Sequence, residues 1–446
     1  MGGGGGPSTP AAAVEMDGGL RVAVVGAGLA GCSCAAELAR RGCAVALFDL
    51  GRRNPGGRSS RRGTTGAGGA AFDHGVQVFQ AATPRFAEVL GRWEAAGWVA
   101  PWAARLGALD GAAGTFTPFP AAARAPAPAP GPAAERPQPT LLPGLPVYVG
   151  RGGADAVCRG LAATAGVALH LGSRVETVAR DAADGRWRLG VKKRQALDEG
   201  EAGAKGEPEG PFDALVLADV MTAKTGTPGS VEGLAAAGLG PIAERMAGVK
   251  AGPQFALMVA LAAPLAAVPF DGAVVDGPAS QVFQWVARDS SKPGAGGEGG
   301  AAGGPECWVA VTTPAHAARL IGGEVGGVEE RPLQREGRYN PQTREYLDPV
   351  ADHLLEEFRG LLAPFTAGGF PEATFVQAQR WGGSFQQNPL ALAEGALADP
   401  ERRFAACGDW ATRSSVEGAA LSGLAAADRV AAMLGLGGAE PPASPL

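Results

Sequence analysis

Histidine and tyrosine are scarce in this 446-residue chain, with four and three copies. The histidines (His74, His170, His316, His353) form no HxxxH pair and the six cysteines (Cys32, Cys34, Cys43, Cys158, Cys307, Cys407) no CxxC pair, so zinc spacing is absent and no metal is expected. No Ser/His/Asp or paired-carboxylate signature stands out. Long apolar runs are also missing, none approaching 18 residues, which argues against a membrane-spanning helix. Positive charge is not in excess. A net charge of −5 gives no field to hold phosphate backbones or anionic lipid heads, so neither nucleic acid nor membrane is an expected partner. Residues 1–20 have no Lys or Arg and no apolar stretch, and they carry Glu15 and Asp17. They read as a disordered leader rather than a secretory signal, leaving cytoplasm or plastid as the expected location.

Glycine (71) and proline (36) make up about a quarter of the chain, while 46% of residues are hydrophobic and 19% charged. That composition suits a soluble protein with sizeable cores and local floppy inserts. The length fits two or three domains, or one large α/β unit with a second domain inserted. Three low-complexity stretches are expected to be such inserts. Residues 107–146, which include AAARAPAPAPGPAAERPQP, should form a loop of polyproline character; 196–210 and 292–305 are too poor in large apolar side chains to repay ordering.

Arg21 to Val25 reads as a short apolar strand, followed by GAGLAG, an Ala-rich helix closed by Arg40, Arg41 and Gly42, and a strand Ala44 to Phe48 ending in Asp49. This is a βαβ unit. Gln254 to Leu261 alternates with Phe255, Leu257, Val259 and Leu261 on one side, and Gln281 to Arg288 and Glu306 to Thr313 are also strand-like. Two-residue alternation predicts a half-covered antiparallel sheet. The last block predicts a strand Arg403 to Cys407, a turn at Gly408-Asp409 and a helix carrying Leu421, Leu424, Val430 and Leu434.

Gly26-Ala27-Gly28-Leu29-Ala30-Gly31 fits GxGxxG between strand and helix, the context that gives this pattern its meaning. Gly26 permits the sharp turn, Gly28 lets backbone approach a pyrophosphate, and Gly31 lets the helix pack close to the strand. Amides at the helix start, around Leu29 and Ala30, supply partial positive charge for phosphates. Asp49, at the end of the second strand, is placed to accept ribose hydroxyls and disfavours a 2′-phosphate, although Arg52 and Arg53 lie nearby. Nicotinamide and flavin cofactors share this fingerprint, so it leaves the choice between them open.

Gly56-Gly57-Arg58 resembles the GGR segment of the flavin amine oxidase superfamily, and FAACGDWATRSSVEGAALSGLA at 404–425 is similar to its C-terminal FAD motif. The resemblance implies that FAD is the cofactor and that Gly56, Gly57 and Arg58 meet its pyrophosphate and flavin edge. Gly408 and Asp409 would hold the sugar-phosphate part, and Gly418 and Ala419 would direct amides at the flavin. YVGRGG at 148–153 and Gly172-Ser173-Arg174-Val175-Glu176 resemble the superfamily's middle block, in which Val175 would pair with adenine through its backbone. FDHGVQ at 72–77, RDSSKPG at 288–294 and Gln379-Arg380-Trp381 resemble the renalase-like branch; Gly382-Gly383-Ser384-Phe385 departs from it, so a different substrate pocket is expected.

This resemblance implies an α/β fold in which a Rossmann-like FAD-binding domain (21–80, 147–225 and 400–437) carries an inserted, largely antiparallel-sheet substrate domain (81–146 and 226–399). The activity it implies is oxidoreductase chemistry: hydride transfer from a small amine-like or dihydronicotinamide (NAD(P)H-type) substrate to FAD, with O2 as acceptor. A desaturase or protoporphyrinogen-type enzyme acting on an apolar substrate, and a non-catalytic FAD-binding assembly protein, are the alternatives. Trp285, Trp308, Trp381 and Trp410 are the aromatic candidates for the cavity, Trp410 foremost through its place beside Asp409, with core packing as the competing role. Lys292 could serve as a lysine that holds water at the flavin N5 or sit in a solvated hairpin. His74 could touch the flavin or be a hydrogen-bonded structural histidine. Cys407 reads as a buried strand residue.

Overall fold

In the computed structural model, residues 19–64, 69–120, 141–142, 144–193, 206–276, 281–295, 304–335 and 338–437 are described. Most of the leader, and the parts 121–140 and 143 of the stretch 107–146, 196–205 of 196–210 and 296–303 of 292–305, lie outside them.

The apolar runs RVAVV and AVALF form the parallel strands Arg21–Val25 and Ala44–Phe48, joined by the helix Leu29–Arg40. They lie inside a six-stranded sheet ordered Leu397–Asp399, Phe404–Ala406, Ala214–Leu217, Arg21–Val25, Ala44–Phe48, Val167–His170. All pairs in it are parallel except the first. Both faces are covered, as a parallel sheet requires. Val22, Val24, Val45 and Leu47 pack against the helices Leu29–Arg40, Pro84–Ala95, Ala156–Ala162 and Val416–Met433. Ala23, Val25, Phe48, Leu215 and Leu217 face the three-stranded sheet of Ser173–Arg180, Trp187–Lys193 and Glu207–Phe212. Each fully buried Val, Leu or Phe contributes about 1.5–3 kcal/mol.

The second large sheet has seven strands, ordered Ala373–Gln386, Ala251–Leu261, Glu306–Thr312, Phe283–Arg288, Gly272–Asp276, Leu106–Asp110, Thr115–Pro118, and is antiparallel except where Gly272–Asp276 meets Leu106–Asp110. The overall fold is α/β, with a Rossmann-like unit and a largely antiparallel second sheet. No described helix is long and apolar enough to cross a membrane.

Three expectations need correction. The seven-stranded sheet is covered on both faces: Phe255, Leu257 and Val259 join a core with the helix Arg344–Leu362, while the alternate Ala256, Met258 and Ala260 pack on Ala70 and Phe72. The small side chains of Ala256 and Ala260 permit that close approach. Residues 106–118 form a strand pair rather than loop, and Glu207–Phe212 is a strand despite Pro208 and Pro211. The latter is an edge strand, where a missing backbone donor is tolerated.

Candidate functional site

The carboxyl ends of four neighbouring parallel strands meet in one cleft, the position at which open α/β sheets bind ligands. After Arg21–Val25 the chain turns at Gly26, which has φ +104° and donates its amide to Phe48 O at 2.8 Å. A Cβ on Gly31 would sit 1.8 Å from Gly26 O, so only glycine lets this helix lie against the turn. A Cβ on Gly28 would meet nothing within 4 Å. The space at Gly28, just ahead of the helix Leu29–Arg40, is therefore open to a ligand, and the backbone conformation of Gly28 (φ −71°) does not itself require glycine.

Asp49 follows the second strand and accepts the amides of Ala27 and Gly51, each at 2.6 Å. Desolvation nevertheless pushes its carboxyl above the usual range, against the pull of those two amides. Ser173 donates to Asp49 O at 2.8 Å, and this draws the strand that contains Val175 alongside. Gly56 donates to Ala27 O at 2.8 Å, bringing Gly56-Gly57-Arg58 to the glycine turn. Arg58 forms a two-pronged pair with Asp409, both contacts 2.7 Å, and also donates to Ser384 O at 3.2 Å. Burial acts to lower the Arg58 pKa, but the Asp409 carboxylate outweighs it and raises the value. Asp409, buried after the turn at Gly408, also accepts from Ser414 Oγ at 3.1 Å.

Residues 24–93 match the model of the NAD(P)-binding Rossmann-like domain. Among solved structures, cyclohexylamine oxidase from Brevibacterium oxydans is 14% identical with a TM-score of 0.58, covering 94% of this chain and 100% of its own. A redesigned putrescine oxidase is 14% identical with a TM-score of 0.57, over 93% and 99%. An oxidoreductase from Methanosarcina mazei is 12% identical with a TM-score of 0.54, over 91% and 99%. The chain has an amine-oxidase-like fold. Such a likeness concerns architecture; chemistry has to be argued from the site.

The remaining candidates are placed as follows. Gly418 and Ala419 do lie at a helix start, but their amides are taken: Ser415 Oγ accepts from Gly418 at 2.9 Å and Ser415 O from Ala419 at 3.0 Å. The amides left at the helix N-terminus are those of Val416 and Glu417, two residues earlier than expected. Trp410 is buried in the core with Val25 and Phe404, and its indole N–H donates to Cys407 O at 2.9 Å. Trp285 and Trp308 are also core residues. Trp381 alone of the four is partly exposed, at the junction with the seven-stranded sheet, and donates to His74 O at 2.7 Å. His74 lies against its ring, and burial, followed by the charge of Arg62, lowers the His74 pKa to about 4. Cys407 is buried, its thiol pushed up to about 12 by desolvation.

Lys292 is not solvated. It is 4% exposed, with its ammonium 2.5 Å from Asp289 and 3.3 Å from Asp73. Burial opposes its charge, but the two carboxylates hold the proton and raise the pKa. Arg61 completes the cluster at 3.3 Å from Asp73. Asp73 leads into His74 and Gly75, and Val76 donates to Arg58 O at 2.8 Å, so this buried network supports the segment behind Arg58. Sequence reasoning missed Asp73 and Asp289 as its members, and also Ser384, Ser415 and Asp219. Asp219, at the end of Ala214–Leu217, belongs to no motif; only the strand order reveals it. Among the described residues, no group of three or more His, Cys, Asp or Glu is placed to hold a metal ion.

Proposed function

We propose that this chain is an FAD-dependent oxidoreductase that oxidises a small amine-like or dihydronicotinamide-type substrate and passes the electrons to O2. The observation that carries the reading is the joining of the glycine turn, Asp49, Arg58 and Asp409 along adjacent strand ends, with the open approach over Gly28. Those residues fit an adenine dinucleotide. Gly28 would admit its pyrophosphate, Asp49 has lone pairs left for ribose hydroxyls, and Val416 and Glu417 would present a positive helix end. Bound there, the flavin would supply an electrophilic N5 that accepts hydride.

The protein's own work is to bind, orient and exclude water. Arg58 carries a positive charge on the segment that Gly56 joins to the glycine turn, and Ser384 ties it to the seven-stranded sheet. Trp381 and His74 form an aromatic wall at the junction. With a pKa of about 4, His74 is neutral at pH 7 and sets no charge against a cationic donor. Anaerobic titration of the purified protein tests the reading. Bleaching of the flavin band by amines or dihydronicotinamides, with peroxide formed on readmitting oxygen, is expected; an oxidised flavin unaffected by both classes would overturn it.

A further inference from the structure

The strand order Phe404–Ala406, Ala214–Leu217, Arg21–Val25, Ala44–Phe48 determines what lies between Asp409 and Asp49. A ligand that reaches from Asp49 over the Gly26–Gly28 turn to Asp409 must cross the end of Ala214–Leu217. There the chain continues as Ala218-Asp219. Asp219 is exposed, and its Cβ is 3.4 Å from where a Cβ on Gly26 would lie. Its side chain therefore flanks the turn meant for a pyrophosphate, with the carboxylate capping the short helix Val220–Ala223 by accepting the Met221 amide.

The three carboxylates of the cleft are not equally compensated. Asp49 accepts two amides, and Asp409 accepts two bonds from Arg58 and one from Ser414. Asp219 accepts a single amide, from Met221 at 2.9 Å, and makes no ion pair with a described residue. Around it stand Arg58 and Asp409 on one side, Asp49 on the other, and Lys224 after the short helix Val220–Ala223. Although the residue has an edge open to solvent, desolvation by the surrounding strand ends pushes the Asp219 carboxyl above the usual range; the Met221 amide and Arg58 draw it down, and Asp409 pushes it up again. A dianionic pyrophosphate arriving beside it would meet direct repulsion.

We propose that Asp219 couples dinucleotide binding to proton uptake, its carboxylate being neutralised as the pyrophosphate settles next to it. This rests on the reading of the cleft as a dinucleotide site and adds to it a residue that selects against negative charge. Binding disfavours the ionised form of Asp219, so affinity is greatest at low pH and falls as pH rises, levelling off once the carboxyl is ionised in both states.

Calorimetry of FAD binding to the full, deflavinated chain, run in two buffers of different ionisation enthalpy, measures the proton directly. Net uptake is expected over the range where the free carboxyl is ionised and the bound one is not, with a Kd about tenfold weaker at pH 8 than at pH 5. Asp219→Asn should abolish the uptake and bind more tightly than wild type at pH 8. FAD binding without proton uptake in the wild type would overturn the proposal, and this arm does not depend on the variant folding. Uptake that persists in Asp219→Asn would move the proton to another group such as Asp409, and weaker binding by that variant would make Asp219 an acceptor for ligand hydroxyls; either overturns the assignment. Failure to bind FAD at any pH would remove the dinucleotide reading itself.

Discussion

Asp49 holds two amides of the loops on either side of it, so its loss loosens the glycine turn as well as removing a ribose acceptor. Hydrogen bonds to a charged group are worth about 1.5–3 kcal/mol each, so Asp49→Ala should weaken FAD binding at least tenfold, about 1.4 kcal/mol, in a fluorescence titration of the deflavinated protein. Two buried histidines work against stability on the acid side. His316, beside His353 with Nε2 atoms 3.1 Å apart, is lowered to about 4 by burial and then by its partner's charge; His74 has a similar value. A folded pKa below the unfolded one means that stability is complete above about pH 6.5 and declines as pH falls toward 4, by about 2 kcal/mol per histidine at pH 5. Urea unfolding at pH 8 and pH 5 should show this loss, and His316→Gln should reduce it.

At the scale of elements, the two glycines of the first helix do different work. Gly31→Ala drives a Cβ into Gly26 O at 1.8 Å and should displace the helix, lowering the unfolding midpoint. Gly28→Ala meets no protein atom within 4 Å, so the fold should keep its stability while FAD affinity falls. Thermal unfolding together with cofactor titration separates the two. This βαβ unit was legible because turn, helix packing and acidic strand end are all local and spaced as the chemistry demands. The strands 106–118 and Glu207–Phe212 were not, since their pairing is decided by distant partners at sheet edges. Ser415 is a helix cap legible in the sequence, and a cap there leaves the free amides at Val416 and Glu417 rather than at Gly418.

For the whole molecule, the cluster Arg61–Asp73–Asp289–Lys292 joins the segment behind Arg58 to the end of Phe283–Arg288 in the seven-stranded sheet. Removing one cation from buried carboxylates is strongly destabilising, so Lys292→Met should lower stability by about 3–5 kcal/mol in urea unfolding. Adding Asp289→Leu, which removes an uncompensated charge, should recover part of that loss. Neither this cluster nor the Arg58–Asp409 pair, whose partners are 351 residues apart, could be read from spacing, because tertiary packing alone brings them together. The central claim is an adenine-flavin dinucleotide lying across the four strand ends. The absorbance spectrum of the purified 446-residue chain, followed by quantification of the cofactor released on denaturation, tests it most directly. Flavin bands and FAD approaching one equivalent per chain are expected; a colourless protein that takes up no FAD on reconstitution would rule out the dinucleotide site.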